Sequence, residues 1–418
     1  MTKKEAGAIF SYRNYLSFQE ISMNNKVPFH SADILLPKSG FEKWACIACD
    51  QFTSQREYWE RAYEIVGDAP SALKLVFPEV YLEDGDAPSR IAKINRSMEQ
   101  YLNDDLFREY RDAMVLVERR LSDGRVRRGL VGAFRLEDYS FEKGAKPLIR
   151  PTEGTVLSRI PPRVNIRRDA ALELPHIMVL MDDRDREIIE KIDTAKLEKL
   201  YDFELMLGGG HIAGWLLDKN SQSLVMTKLE KLYEKSGVDG DRLLFAVGDG
   251  NHSLATAKAA AEISGTEQSR FALAELVNIH DEAIDFEPIY RVLFNVDVRD
   301  FLAKLKAAFT FAEGKRVDYM SLEEEGSVYV NGLESDVLQQ FIDDYIEANP
   351  TAQVDYIHGI EATKKLAMSP NAIGFIYGGI SKSELFDYVR ENGILPRKTF
   401  SIGHAEDKRY YVEARKIR

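Results

Sequence analysis

The chain has 418 residues, 44% of them apolar, and 56 Lys+Arg against 68 Asp+Glu give a formal net charge of −12. That length supports two or three domains with real cores, and the acid excess excludes a generic polyanion-binding face for nucleic acid or anionic lipid. Residues 1–18 are polar and mixed without a signal-peptide core, no apolar run reaches a membrane span, and two cysteines cannot build a disulfide framework, so a cytoplasmic protein is expected.

In chain order, Gln55–Val66 and Ser89–Leu102 have helical period. Met114–Arg120 and Arg128–Leu136 read as a β-hairpin, because two apolar runs flank Ser122-Asp123-Gly124. Leu174–Met181 is a buried strand by its apolar run, and the charged stretch Arg184–Leu200 is expected to be a helix. A strand His211–Leu217 follows three glycines, and a helix Ser221–Ser236 stops at Gly237. Next come a short strand Leu243–Val247, an Ala-rich helix Ser253–Ser264 and a strand Phe271–Ile279. Helices over 299–309, 335–348, 359–367 and 381–392 then alternate with strands Val354–Ile357 and Ile373–Tyr377, with a loop after 309. Interleaved strands and helices predict an α+β or mixed α/β architecture. The expected division is an N-terminal α/β region over 1–145, a core over 146–295 and a C-terminal α/β region over 296–418.

The most informative stretch is FAVGDGNHSLATAKAAA, a strand followed by glycines and a helix. Gly248 and Gly250 would let the backbone approach a ligand. The N–H groups of the helix start, with Asn251 and Ser253, favour a phosphate. Asp249 and His252 would add metal, acid/base or orienting functions. The same pattern also fits a tight turn with Asn251 or Ser253 as helix cap. No P-loop motif and no GxGxxG occurs.

The window 119–168 holds 13 Lys+Arg and 5 Asp+Glu, a local +8. Within it, Arg150, Arg159 and Arg163 suit phosphate through guanidinium forks, and Glu153 could accept a hydroxyl proton. A solvated basic face fits the same residues. Asp183 could join Asp249 in holding Mg²⁺, or simply end its strand. Cys46 and Cys49 form a CxxC without the surroundings of a redox pair and read as packing residues.

The ordered series EDYSFEKGAKPLIRPTEGT, PHIMVLMDD, GGGHIAGWLLD, FAVGDGNHSLATA, EPIYRVLF and LPRKTF resembles domain-of-unknown-function family 1015. That family is placed in the ParB/sulfiredoxin-like superfamily, and the resemblance implies such a core with added N- and C-terminal segments. Its relatives include ATP- or ADP-dependent kinases of free serine. By this resemblance Arg150-Pro151-Thr152-Glu153 places a candidate base at Glu153, while the downstream Asp-Arg is matched only at Arg163. His211 matches a family histidine, and 249–253 match the phosphate loop. Arg291 and Pro396-Arg397-Lys398-Thr399 match two further basic motifs. Thr152, Asn251, Ser253 and Tyr290 depart from the family pattern, and losing an arginine at 253 removes a phosphate fork.

The expectation is phosphoryl transfer on a small hydroxylated or amino-acid-like metabolite, in the kinase or the phosphatase sense. ATP or ADP with Mg²⁺ would be bound at 248–253. Glu153, Asp249, His252 and His211 would be the catalytic residues, and Arg150, Arg163, Arg291, Arg397 and Lys398 the phosphate contacts. The alternative is a non-catalytic nucleotide- or metabolite-binding regulator. Neither nucleic acid nor membrane is an expected partner, and the sequence leaves the oligomeric state open.

Overall fold

A computed structural model describes residues 26–238, 240–309, 313–396 and 398–418. Their fold is mixed α+β, built on a nine-stranded sheet and a six-stranded sheet. The larger sheet contains β1 (Phe29–His30), β2 (Val115–Arg120), β3 (Val126–Arg135), β4 (Ile149–Pro151), β5 (Met178–Met181), β6 (Glu198–Glu204), β7 (His211–Leu216), β8 (Phe245–Asp249) and β9 (Phe271–Asn278). Its order is β6-β7-β2-β3-β9-β5-β8-β4, with β1 pairing β3 beyond the end of β2. Strands on both sides of position 145 therefore share one sheet.

The expected hairpin is present as β2 and β3, and its turn follows from side-chain chemistry. Gly124 takes φ 88°, and the Asp123 carboxylate accepts the Arg125 N–H at 2.9 Å. Strand β8 is apolar over its first three residues because it lies inside the sheet, parallel to β4 and antiparallel to β5. Phe245, Ala246 and Val247 are all fully buried.

Alternation along the strands divides two cores. Val115, Val117 and Val131 pack on one face with the helices Arg56–Val66 and Ala87–Asn103. Leu116, Leu130 and Phe245 pack on the other with Ile160–Arg167, Lys219–Lys235 and Asn251–Ser264. The smaller sheet has β10 (Phe286–Phe294), β11 (Lys315–Met320), β12 (Glu325–Val330), β13 (Gln353–His358), β14 (Ala372–Tyr377) and β15 (Phe400–Ile402). Its order is β12-β11-β14-β10-β13, with β15 on the first residues of β10. Phe400 and Ile402 pack against Met178 and Leu180, which joins the two sheets.

Two expectations are corrected. Arg184–Leu200 is not a helix: among the described residues it is a series of turns, one short 3-10 turn and the start of β6. Side chains there satisfy the backbone in place of a helix, Asp183 accepting the Ile188 N–H at 2.8 Å and Asp193 the Ala195 N–H at 3.1 Å. The expected loop after 309 contains the hairpin β11–β12, whose alternating Val317, Tyr319, Val328 and Val330 face the core.

The chain then returns to the core beside the larger sheet in two separate two-stranded pairings. Tyr410–Tyr411 pairs with Cys46–Ile47, and Arg415–Lys416 with Leu172–Glu173. This segment brings Lys408 to Asp249 at 3.3 Å and Tyr411 to His176 at 2.7 Å, beside the cleft described next.

Candidate active site

A cleft of about 1620 Å³ opens where the end of β8, the residues after β4 and the Lys398 loop meet. Gly250 turns the chain from β8 into the helix Asn251–Ser264 with φ 78°, a left-handed conformation in which a side chain would also crowd Ile177. No side chain caps the helix start. Gly250, Asn251, His252 and Ser253 all line the cleft, and Asn251 Oδ1 is shielded from water with no hydrogen-bond partner. Gly248 serves packing instead: a Cβ there would meet Leu180 and Ile402 at 2.8 and 2.9 Å.

Glu153 sits in the same wall, in a bridge to Leu395. Burial, followed by the nearby Asp249 carboxylate, pushes its carboxyl up to about 7, although the Lys398 N–H and the Lys408 and Lys398 charges pull it down. Asp249 bonds the Gly250 N–H at 3.0 Å and faces the Lys408 ammonium at 3.3 Å. His252 accepts the Val156 N–H through Nε2 at 3.1 Å, which ties the loop after Glu153 to the helix start. Glu153, Asp249 and His252 thus converge.

The expected cations are divided. Arg159 is exposed in the cleft wall, Lys398 lies 5.7 Å over the Tyr356 ring, and Arg163 is in the wall but paired with Glu79. Arg291 is fully buried behind the wall, where it donates to the Lys398 carbonyl at 2.8 Å and to Tyr377 Oη at 2.9 Å. It positions the Lys398 loop. Arg150 is also buried, bonded to Asp241 at 3.1 Å and to the carbonyls of Pro147 and Arg242, outside the cleft lining. Arg397 lies outside the described residues.

His211 and Asp183 lie elsewhere too. His211 pairs with Asp202 at 2.7 Å between neighbouring strands, and Asp183 holds the turn described above. Among the described residues no three His, Cys, Asp or Glu side chains group as metal ligands.

The +8 segment does not make a basic cleft, because most of its arginines are committed to structure. Arg119 stacks on Tyr410, Arg127 donates to the Asp407 carbonyl, Arg128 pairs with Glu118 and Arg135 with Asp138. Cys46 and Cys49 are free thiols pushed up by burial, the first with Cys49 beside it and the second with Asp50 beside it, which disfavours thiolate chemistry.

Sequence reasoning missed three residues that meet at the cleft wall, of which Asp50 lines the cleft. His176 stands inside the motif PHIMVLMDD, which reads as a strand, and Asp50 directly follows the dismissed CxxC. Tyr411 lies in a C-terminal stretch with no motif. Long-range packing brings them together: Tyr411 Oη lies 2.7 Å from His176 Nδ1, and Asp50 lies 3.6 Å from Nε2.

The family model described as "Protein of unknown function (DUF1015)" matches residues 28–367. No curated protein matches the chain. Among solved structures, the chain is similar to a free serine kinase in complex with AMP, at 11% identity and a TM-score of 0.38, covering 68% of this chain and 91% of that one. It is also similar to a conserved hypothetical protein from Pyrococcus furiosus, at 13% identity and a TM-score of 0.37, covering 68% and 94%. The truncated SbnI from Staphylococcus aureus shows 10% identity and a TM-score of 0.36, covering 65% and 82%. Among the described residues no helix is long and apolar enough to cross a membrane.

Proposed function

Because this chain belongs to the family described as a protein of unknown function (DUF1015), its activity has to be read from the cleft, and we propose that it transfers a phosphoryl group to or from a small hydroxylated or amino-acid-like metabolite. The observation that carries this reading is Glu153, a carboxyl raised to about 7 inside a large cleft beside an uncapped helix start. A base is most useful when its pKa lies near the working pH. A helix start supplies N–H donors for phosphate, with the Arg159 charge in the same wall.

In the kinase sense the donor is ATP or ADP, and its phosphates lie against residues 250–253. The metabolite hydroxyl gives its proton to Glu153 as its oxygen bonds to phosphorus, and the bridging oxygen of the donor departs. Phosphatase chemistry on a phosphomonoester uses the same positions. Mg²⁺ has no ready place here, since Lys408 already faces the Asp249 carboxylate. No step is routed through a metal ion.

The test is a thermal-shift screen of the full chain with nucleotides and phosphorylated metabolites, followed by turnover assays on the hits. Wild type and Glu153→Gln should both bind, and only wild type should turn over. Binding without turnover in wild type would support the regulator, and equal turnover in the two proteins would remove Glu153 from the chemistry.

A further inference from the structure

A second group of side chains, at and behind the cleft wall, has a use beyond that reaction. Ser253 Oγ lies 3.0 Å from His176 Nε2, and Ser253 and Asp50 both line the cleft. His176 is 8% exposed, and its Nδ1 lies 2.7 Å from Tyr411 Oη, with the two rings at 90°. The Tyr411 oxygen also accepts the Cys49 N–H at 3.2 Å, and burial holds the phenol protonated. Burial pushes the His176 imidazole down, but the Asp50 carboxylate outweighs it and holds the ring above its ordinary value. Once the ring is neutral with its proton on Nδ1, His176 donates to the Tyr411 oxygen and turns its Nε2 lone pair to the Ser253 hydroxyl.

Asp50 completes the group by charge. Its Oδ2 lies 3.6 Å from Nε2. When the serine proton moves to Nε2, the imidazolium forms beside the Asp50 carboxylate, and burial of that carboxylate is outweighed by the imidazolium charge and by hydrogen bonds from His176 and Gln51. In Ser-His-Asp sites the acid both orients the imidazole and stabilises its charge. Here those roles are divided, with Tyr411 orienting through Nδ1 and Asp50 stabilising beside Nε2.

We propose that Ser253 is a nucleophile toward phosphate esters or anhydrides, a chemistry separate from base catalysis by Glu153. Ser253 Oγ bonds to phosphorus while His176 takes the hydroxyl proton. The bond from phosphorus to the leaving oxygen breaks, and that oxygen takes the electron pair and the proton from His176. Water, deprotonated by His176, then attacks the phosphorus. The bond from phosphorus to Ser253 Oγ breaks, that oxygen takes the proton back from His176, and the phosphate leaves. Phosphorus is favoured over an acyl carbon because Ser253 stands in the first turn of the uncapped helix, with Arg159 and Lys398 in the same wall. The step shares with the preceding reading only the phosphate position at the helix start, and it stands without Glu153.

The test uses the full chain and diisopropyl fluorophosphate, with the modified residue located by peptide mass spectrometry. Wild type and Glu153→Gln should acquire one adduct, on Ser253. Ser253→Ala should acquire none there, and His176→Gln should react roughly a hundredfold more slowly. Because His176 is buried, Tyr411→Phe is the second variant: it keeps the imidazole but removes the oxygen that fixes its tautomer, and it too should react more slowly. No adduct on Ser253 in wild type, or an undiminished rate in a folded His176→Gln or Tyr411→Phe protein, would overturn the proposal. Loss of turnover in Glu153→Gln with normal labelling would separate the two chemistries.

Discussion

Glu275 is buried and Glu153 half-buried in the cleft wall, yet their carboxyls shift in opposite directions. Glu275, in β9, is 1% exposed and bonded to Arg409, with Arg127 Nε at 4.0 Å. Burial pushes its carboxyl up, but Arg409 and Arg127 outweigh burial and hold it below the ordinary value. Arg409 also bonds Glu413 at 2.5 Å. Glu153 faces the Asp249 carboxylate and has lysine charges and one backbone N–H in place of a guanidinium partner, so burial wins and the carboxyl rises to about 7. Countercharge decides whether a buried carboxylate is a structural anion or a base.

The largest expected effect comes from breaking the structural member of this pair. Arg409→Leu would leave Glu275 and Glu413 buried without their guanidinium and should cost about 3–5 kcal/mol, read by denaturant unfolding. The paired Glu275 stabilises the fold above its ordinary value, and that stability is lost as pH falls through its depressed folded value.

Glu153 should behave in the reverse sense. Its folded value lies above its ordinary 4.5, so it imposes no penalty at low pH, a growing one from there to about 7, and the full penalty above. At pH 8, Glu153→Gln should therefore stabilise the fold by about 1–3 kcal/mol while abolishing turnover. The gain should vanish at pH 4, and a loss of stability at pH 8 would break the contrast.

Smaller changes sharpen it. Lys408 lowers the Glu153 carboxyl, so Lys408→Met should move the rising limb of the pH–rate profile to higher pH. An unmoved limb would show that Lys408 acts on Asp249 alone. Arg150 is bonded to Asp241 outside the cleft lining, so Arg150→Lys should change ligand affinity less than about twofold by titration calorimetry.

Much of this was legible in the chain. The 122–124 turn, β8 and the Ala-rich helix follow from apolar period and glycine placement, and Glu153, Asp249 and His252 line one cleft at that helix start. The role of the arginines was not legible. A count of charges over 119–168 cannot say that Arg119 stacks on Tyr410 or that Arg150 is spent on Asp241. Those partners lie far away in sequence, and burial rather than composition determines who pairs with whom. His176 escaped for the same reason: its neighbours at positions 50, 253 and 411 meet only when the C-terminal segment pairs with Cys46–Ile47.

The central claim is that Glu153 is a base held near neutrality by its site. Carboxyl carbon-13 chemical shifts of wild type and Glu153→Gln, followed from pH 4 to pH 9, would test it directly. The account predicts one glutamate resonance, absent from the variant, that titrates near pH 7. A Glu153 resonance titrating at or below the ordinary value of 4.5 would contradict it.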